Sequence, residues 1–174
     1  MNNVISLGWD CQSAEIRYGV FGHTYDLGYK TCPFDLCVTD YKSLLECLSS
    51  NFDRSIFFNL FIDANGWIRN GYSMWFNHES PELSDNFEKL GESDYFIKNN
   101  FKNFKDRYEQ RIENWNNYIE NSDEILFIIN NPLADPTHLR HILNNKYENL
   151  SFEIALISDP NFNLTFFKYY SIIC

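Results

Sequence analysis

The clearest pattern of apolar and polar positions in this chain lies between residues 101 and 119. Apolar side chains recur there at spacings of three and four residues: Phe101, Phe104, Tyr108, Ile112, Trp115 and Ile119. Such spacing places all of them on one face of a helix. The pattern therefore predicts an amphipathic helix from about Phe101 to Glu120, with this face packed on a sheet.

Three short apolar runs, Val4–Leu7, Ile125–Ile129 and Phe152–Ile157, predict buried strands. Between the last two runs, Asp135 is a suitable N-cap and Pro136 suits the first position of a helix. A strand, a helix and a strand in that order form a βαβ unit, in which the two strands pair in parallel. We therefore predict a single α/β domain over the whole chain, with a mainly parallel central sheet flanked by helices.

Other parts of the chain carry weaker signals. Asp10 is a plausible N-cap for a helix from about Cys11 to Tyr18. The pair Asn70-Gly71 predicts a hairpin turn, and His78 comes just after the second arm of that hairpin. The remaining predictions are a loop over 22–40, a helix over 41–48, a strand or short helix over 56–62, a loop or short helix over 79–93 and a strand over 164–173.

Composition and charge exclude several classes of protein. The formal net charge is −10, and a chain this acidic repels nucleic-acid backbones. Hydrophobic residues make up 44% of the chain, which excludes a disordered protein. No apolar run approaches the roughly 20 residues needed to span a bilayer, and the N-terminus has no signal-peptide pattern. We predict no nucleic-acid partner and no membrane association.

The five cysteines point to free thiols rather than disulfides. An odd number of cysteines without a secretion signal is typical of a reducing compartment, here the cytoplasm. Only Cys32 and Cys37 lie close together, and a zinc site usually needs a second such pair. We therefore interpret Cys32, Cys37 and Cys47 as small buried hydrophobic residues, and we predict neither a metal nor a cofactor.

Cys11 is the strongest candidate for chemistry. It follows an apolar strand and a glycine, and it lies in the first turn of a predicted helix. The partial positive charge at a helix N-terminus favours the thiolate, which is the form of cysteine that attacks carbonyl groups. The alternative is a buried structural cysteine at a strand-to-helix junction.

A cysteine nucleophile needs a base, and histidine usually fills that role. His78 is the first candidate and His23 a weaker one; the alternative for His78 is a structural histidine bonded to backbone. An Asn or Asp that orients the imidazole completes such a site. Asn130, Asn131 and Asp135 all follow a predicted strand at its carboxyl end, where α/β sheets place their sites. The alternative for Asn130 and Asn131, which precede Pro132, is a simple turn, and Asp135 also fits a purely structural role as a helix cap.

Arg107 and Arg111 lie one helical turn apart on the predicted long helix. One interpretation is that both form surface ion pairs with carboxylates of the same helix. The other is an arginine-bearing face that binds an acidic substrate. We favour surface pairing for Arg107 and leave both interpretations open for Arg111.

Five sequence blocks resemble the DUF1796 family of papain-like cysteine peptidases. They are Ile5–Ala14, Cys32–Asp35, Trp75–Glu79, Arg107–Trp115 and Ile125–Phe127. Their order and spacing fit the family over nearly the whole chain. The chain departs from the family pattern at three positions: Asp10 replaces an Asn, Leu36 a Trp and Glu79 an Asp.

The resemblance implies a hydrolase or acyltransferase in which Cys11 is the nucleophile and His78 the base. The substrate would be a peptide, acyl or glycan-type compound. We take four further positions as substrate-binding: Asp10, Gln12, Asp35 and Arg111. A negative charge at Asp10 would oppose an oxyanion beside Cys11.

Two other functions remain open at this stage. The run Gly8–Cys11 distantly resembles the opening motif of SGNH-type acyl esterases, and the spacing of Asp135 and His138 resembles their Asp-x-x-His pair. The third possibility is a binding domain that has lost catalytic activity. The position of His78 or of His138 relative to Cys11 distinguishes the three.

Overall fold

A computed structural model describes residues 3–10, 13–16, 28–81, 94–131 and 133–157 of the protein. In chain order the elements are β1 (Asn3–Ser6), α1 (Tyr41–Ser49), α2 (Arg54–Phe57), β2 (Phe61–Ile62), β3 (Ile68–Arg69), a 3₁₀ helix (Asn77–Glu79), α3 (Lys98–Asn121), β4 (Glu124–Ile129), α4 (Pro136–Lys146) and β5 (Ser151–Leu156). Residues 13–16 are helical. Cys11, Gln12, His23 and the predicted strand over 164–173 lie outside the described residues, as do the end of the first predicted helix and residues 82–93.

The main sheet has three parallel strands in the order β1-β4-β5. Ile5 pairs with Phe127, and Phe127 in turn pairs with Ile154. The central strand β4 is apolar from Ile125 to Ile129, as expected of a strand covered on both faces. The prediction that these three runs are neighbouring parallel strands is confirmed, and the fold is of a mixed α/β class.

A second, smaller sheet pairs β2 with β3 in antiparallel fashion. The turn between them is held by Asp63, whose Oδ1 accepts hydrogen bonds from the backbone N of Asn65 at 2.8 Å and of Trp67 at 3.1 Å. The predicted strand or short helix over 56–62 is thus split, because α2 ends at Phe57 and β2 begins at Phe61.

The predicted turn at Asn70-Gly71 is present and is held by a side chain. Asn70 Oδ1 accepts from the backbone N of Tyr72 at 3.0 Å and of Met74 at 3.1 Å. Beyond the turn, Trp75 forms isolated antiparallel bridges to Arg69 and to Val38. The arm that leads to the 3₁₀ helix is therefore attached on one side to the small sheet and on the other to residues 34–39.

Helices α1 and α4 pack against each other, and both begin at an aspartate cap. Asp40 Oδ1 accepts from the backbone N of Ser43 at 2.8 Å, and Asp135 Oδ1 accepts from that of Thr137 at 2.9 Å. An aspartate at this position satisfies backbone donors that the first turn of a helix leaves unpaired. The predicted helix over 41–48 and the βαβ unit are confirmed.

Helix α3 carries the buried aromatic face that its spacing predicts. Residues 99–101 have left-handed backbone angles, so regular right-handed helix begins at Lys102. Trp115 reaches the sheet and stacks on Phe127, with ring centroids 5.6 Å apart. Phe104 packs instead on Phe76, at 4.8 Å. Only part of the buried face thus contacts the sheet, and the rest holds the arm that leads to His78. None of the described helices is long and apolar enough to cross a membrane.

Candidate functional site

The chain makes a strained turn directly after β1. Gly8 and Trp9 both have positive φ, at 79° and 82°. A left-handed conformation suits glycine, but it costs a bulky residue such as Trp9 roughly 1–2 kcal/mol. A Cβ built on Gly8 would lie 3.0 Å from Thr39 Cγ2, so the turn is also pressed against residues 34–39.

Ser13 joins the carboxyl ends of two neighbouring strands. Its hydroxyl donates to the carbonyl oxygen of Gly8 at 3.1 Å and accepts from the backbone N of Asn130 at 3.0 Å. Gly8 follows β1 and Asn130 follows β4, and these strands are parallel. Both strands therefore end at one edge of the sheet, beside the helical residues 13–16. This edge is called the carboxyl edge below.

Asn131 lies at the carboxyl edge with only 1% of its surface exposed. Its Oδ1 accepts from the backbone N of Leu133 at 2.9 Å. Its Nδ2 is buried and has no hydrogen-bond partner within the described part of the chain. A buried donor left without an acceptor is uncommon in folded proteins.

Asp135 acts as a helix cap, as its structural interpretation predicts. Its side chain is exposed and bonded to the first turn of α4. His138 is also exposed, and it lines a shallow surface groove beside Leu45 and Ile142. The esterase-type pair of Asp135 and His138 thus consists of a capping carboxylate and a histidine on the groove between α1 and α4.

Asp35 is fully buried, so it does not expose a carboxylate on the wall of a solvent-filled cleft. Its Oδ2 accepts from the backbone N of Cys32 at 2.8 Å and from the hydroxyl of Tyr29 at 2.9 Å. These bonds hold the Cys-Pro-Phe-Asp turn together. Asp35 therefore stabilises a buried turn of the protein.

His78 lies in the middle of the 3₁₀ helix and is half-buried. Ser80 fixes this short helix from one side, because its hydroxyl accepts from the backbone N of Ile68 at 2.8 Å and donates to the carbonyl of Phe76 at 2.7 Å. Phe76 itself is fully buried among the aromatic rings of the core. The turn that carries His78 is therefore firmly held.

Glu79 fixes the same turn from the other side, through a buried ion cluster. Its Oε1 lies 3.2 Å from a guanidinium nitrogen of Arg107 and 3.2 Å from one of Arg111, and Tyr108 donates to its Oε2 at 3.3 Å. Glu79 is fully buried, and the Arg111 side chain is only 7% exposed. We call these four residues the Glu79 cluster.

The Glu79 cluster corrects the surface-pair interpretation of Arg107. Arg111 faces inward, and Arg107 is 32% exposed. Both bind Glu79, which lies 32 and 28 positions earlier in the chain and not on their own helix. The guanidinium of Arg111 is therefore bound to a carboxylate of the protein itself. No sequence pattern indicates Glu79 as the partner, although Arg111 borders the apolar stripe of α3.

Three cysteines are buried free thiols, which confirms their interpretation as small hydrophobic residues. Burial raises the pKa of the Cys37 thiol well above its usual value, and Arg111 offsets part of that effect. Burial also raises the pKa of the Cys47 thiol, with smaller opposing contributions from Lys146 and Arg54. Neither is poised to form a thiolate in the native protein.

Residues 34–39 connect the two halves of the candidate site. On one side Thr39 and Phe34 contact the turn at Gly8. On the other side Val38 and Trp75 exchange two backbone hydrogen bonds, each 2.9 Å long. This segment therefore lies between the turn that precedes Cys11 in the sequence and the arm that precedes His78.

No group of three or more His, Cys, Asp or Glu side chains among the described residues has the arrangement of a metal site. Comparisons of the chain with family models, with curated proteins and with solved structures gave no match. The resemblance to the DUF1796 family therefore stays a prediction.

Proposed function

We propose that the protein is a thiol-dependent hydrolase or acyltransferase in which Cys11 is the nucleophile and His78 the base. The observation that carries the proposal is the strained turn at Gly8 and Trp9. It links a buried parallel strand to helical residues at the carboxyl edge of a sheet, which is where α/β folds place their sites. Cys11 follows Trp9 by two residues in the sequence.

The strain at Trp9 supports a functional role for this turn. Left-handed conformations of bulky residues cluster at active sites, where surrounding contacts hold them in place. Sharp strand-to-helix turns also present the nucleophile in α/β hydrolases. Here the hydrogen bonds of Ser13 and the contact between Gly8 and Thr39 hold the turn in place.

The rigid turn around His78 supports the second half of the proposal. Catalytic groups must be held in place by neighbours that are themselves fixed. Glu79 and Ser80 are both buried and bonded, whereas His78 between Asn77 and Glu79 is half-buried. The Glu79 cluster thus holds in place a three-residue 3₁₀ helix whose central residue, His78, is half-buried.

The proposed reaction begins when the imidazole of His78 takes the proton of the Cys11 thiol. The thiolate attacks the substrate carbonyl, a C–S bond forms, and the carbonyl oxygen becomes an oxyanion. The leaving group then departs with its bonding electrons and receives the proton from His78. Water or an acceptor hydroxyl or amine releases the acyl group from the sulfur.

Several finer features belong to this proposal. The substrate is a peptide, acyl or glycan-type compound, and Asp10 and Gln12 contribute to its binding. The chain is one domain whose central sheet is flanked by helices, and it works in the cytoplasm, where thiols stay reduced.

Turnover of a p-nitrophenyl ester and of an aminoacyl amide tests the proposal. Cys11→Ala and His78→Ala should each abolish turnover, and the double variant should be no worse than either, because the two groups act as a unit. His141→Ala is the matched control, since His141 is exposed on α4. Loss of turnover in His138→Ala with retention in His78→Ala would favour the esterase-type pair. No turnover by the wild type would favour a binding domain.

A further inference from the structure

We propose that the side-chain amide of Asn131 donates the hydrogen bond that stabilises the oxyanion during acyl transfer. This inference rests on the proposed function, since it names the group that receives the charge formed when Cys11 attacks. It also assigns to Asn131 a role different from orienting the imidazole.

The hydrogen bonding of Asn131 fixes which end of its amide is available. Oδ1 accepts from the backbone N–H of Leu133, so the nitrogen must be the other atom of the group. That nitrogen is buried, and no acceptor within the described residues reaches it. Leaving such a donor unsatisfied is unfavourable, and an arriving oxygen ligand would satisfy it.

The available atom has the polarity that an oxyanion requires. An asparagine that orients an imidazole accepts a hydrogen bond from the ring, but the Oδ1 of Asn131 is already engaged by Leu133. An oxyanion needs donors held in place before the reaction. Asp10, which is adjacent to Cys11 in the sequence, has no donor when it is ionised.

The position of Asn131 agrees with this role. It follows β4, and the preceding residue, Asn130, is joined through Ser13 to the turn after β1. Thr39, which touches Gly8 at the same edge, has a buried hydroxyl that also lacks a partner among the described residues. Two residues with an unsatisfied buried polar group thus border one edge of the sheet.

Two reagents that modify the same sulfur separate this role from other effects. When p-nitrophenyl acetate acetylates Cys11, an S–C bond forms, the ester C–O bond breaks, and p-nitrophenolate leaves after an oxyanion intermediate. Iodoacetamide reacts by direct displacement of iodide, without an oxyanion. An oxyanion donor therefore accelerates the first reaction only.

Rates at Cys11 are measured by mass-spectrometric mapping for the wild type, Asn131→Ala and Asn131→Asp. The Asp variant keeps the acceptor for Leu133. We expect acetylation to fall about 10²–10³-fold in both variants. Alkylation should stay unchanged in Asn131→Ala and should fall less than acetylation in Asn131→Asp, because the added carboxylate also disfavours the thiolate. Asn145→Ala, which alters an exposed asparagine on α4, should change neither rate. Unchanged acetylation, or an equal fall in both rates, would overturn the inference.

The wild-type protein offers a second measurement that needs no variant. A small peptide aldehyde forms a thiohemiacetal with Cys11, whose oxygen imitates the oxyanion, and the NMR signals of the Asn131 side-chain NH₂ should then shift downfield. No shift on a modified protein would contradict the role of Asn131. If Cys11 of the wild type reacts with none of these reagents faster than an ordinary exposed thiol, the proposed function itself fails.

Discussion

The aromatic core beneath α3 and the carboxyl edge of the sheet differ in how fully their buried polar groups are hydrogen-bonded. In the core, Trp115 stacks on Phe127, packs edge-on against Phe34 and Phe52, and donates its indole N–H to Tyr147 at 3.2 Å. At the carboxyl edge, Trp9 holds a strained conformation, and buried polar atoms of Asn131 and Thr39 find no partner among the described residues.

This contrast shows which region contains unsatisfied polar groups that lower the stability of the fold. A sequence that folds well satisfies local and global demands together, and exceptions are expected at functional sites. Here Trp9, Asn131 and Thr39 are such exceptions at the edge that follows β1 and β4. Others lie elsewhere: Phe52 in the core has a φ of 52°, and buried polar atoms of Arg69 and Asn77 have no partner among the described residues. Mutations can test whether the two regions differ in this way.

The largest loss of stability is expected in the core. Trp115→Ala should lower the free energy of unfolding by about 3–5 kcal/mol, because it removes a fully buried ring and leaves a cavity. Urea denaturation measures the change. Leu133→Ala is the control: Leu133 is 77% exposed, and its loss should cost almost nothing. Similar effects for the two variants would remove the basis of the comparison.

Breaking the Glu79 cluster should cost nearly as much. Arg111→Met leaves the buried carboxylate of Glu79 with one arginine instead of two, and breaking a buried ion pair typically costs about 3–5 kcal/mol. The exposed pair of Arg54 and Glu109 provides the matched variant, Arg54→Met, with an expected cost of about 0–1 kcal/mol. Chemical denaturation of both variants compares them, and an equally small loss for each would contradict a buried cluster.

A smaller effect is expected at the cap of α4. Asp135→Ala removes the acceptor for the backbone N of Thr137 and should cost about 1 kcal/mol. Asp135→Asn keeps an acceptor there and should cost much less. Thermal unfolding followed by circular dichroism measures both. If Asn and Ala were equally harmful, the charge rather than the cap would be the important property.

The smallest effect, of the opposite sign, is expected at Thr39. Its buried hydroxyl lacks a partner in the described structure, so the isosteric change Thr39→Val should leave stability unchanged or raise it slightly. Differential scanning calorimetry of the protein without ligand measures this. A loss above about 1 kcal/mol would show that the hydroxyl is satisfied in the native protein.

The sequence predicts the elements well, because their causes are local. Apolar spacing in α3, the Asp135-Pro136 start of α4 and the three apolar strands each act within a few residues. The left-handed residues before Lys102 also have a local cause in Asn99 and Asn100, since asparagine tolerates that conformation better than most residues.

The candidate site is less predictable, because its contacts connect distant parts of the chain. The bond between Ser13 and Asn130 joins residues 117 positions apart, and the ion pair between Glu79 and Arg111 has no pattern within either segment. Asp35 illustrates the same limit. A carboxylate in a turn is compatible with a cleft wall, but bonds to Tyr29 and Cys32 bury it.

The most direct test of the account is the pH dependence of Cys11 alkylation by iodoacetamide in the wild type and in His78→Ala. We predict that the Cys11 thiol has a pKa below the free-thiol value of about 8.5 in the wild type, and that the variant raises it. The native thiols of Cys37 and Cys47 should remain unmodified, because burial raises their pKa and shields them. A Cys11 thiol that titrates like a free cysteine in both proteins would contradict the Cys11–His78 pair.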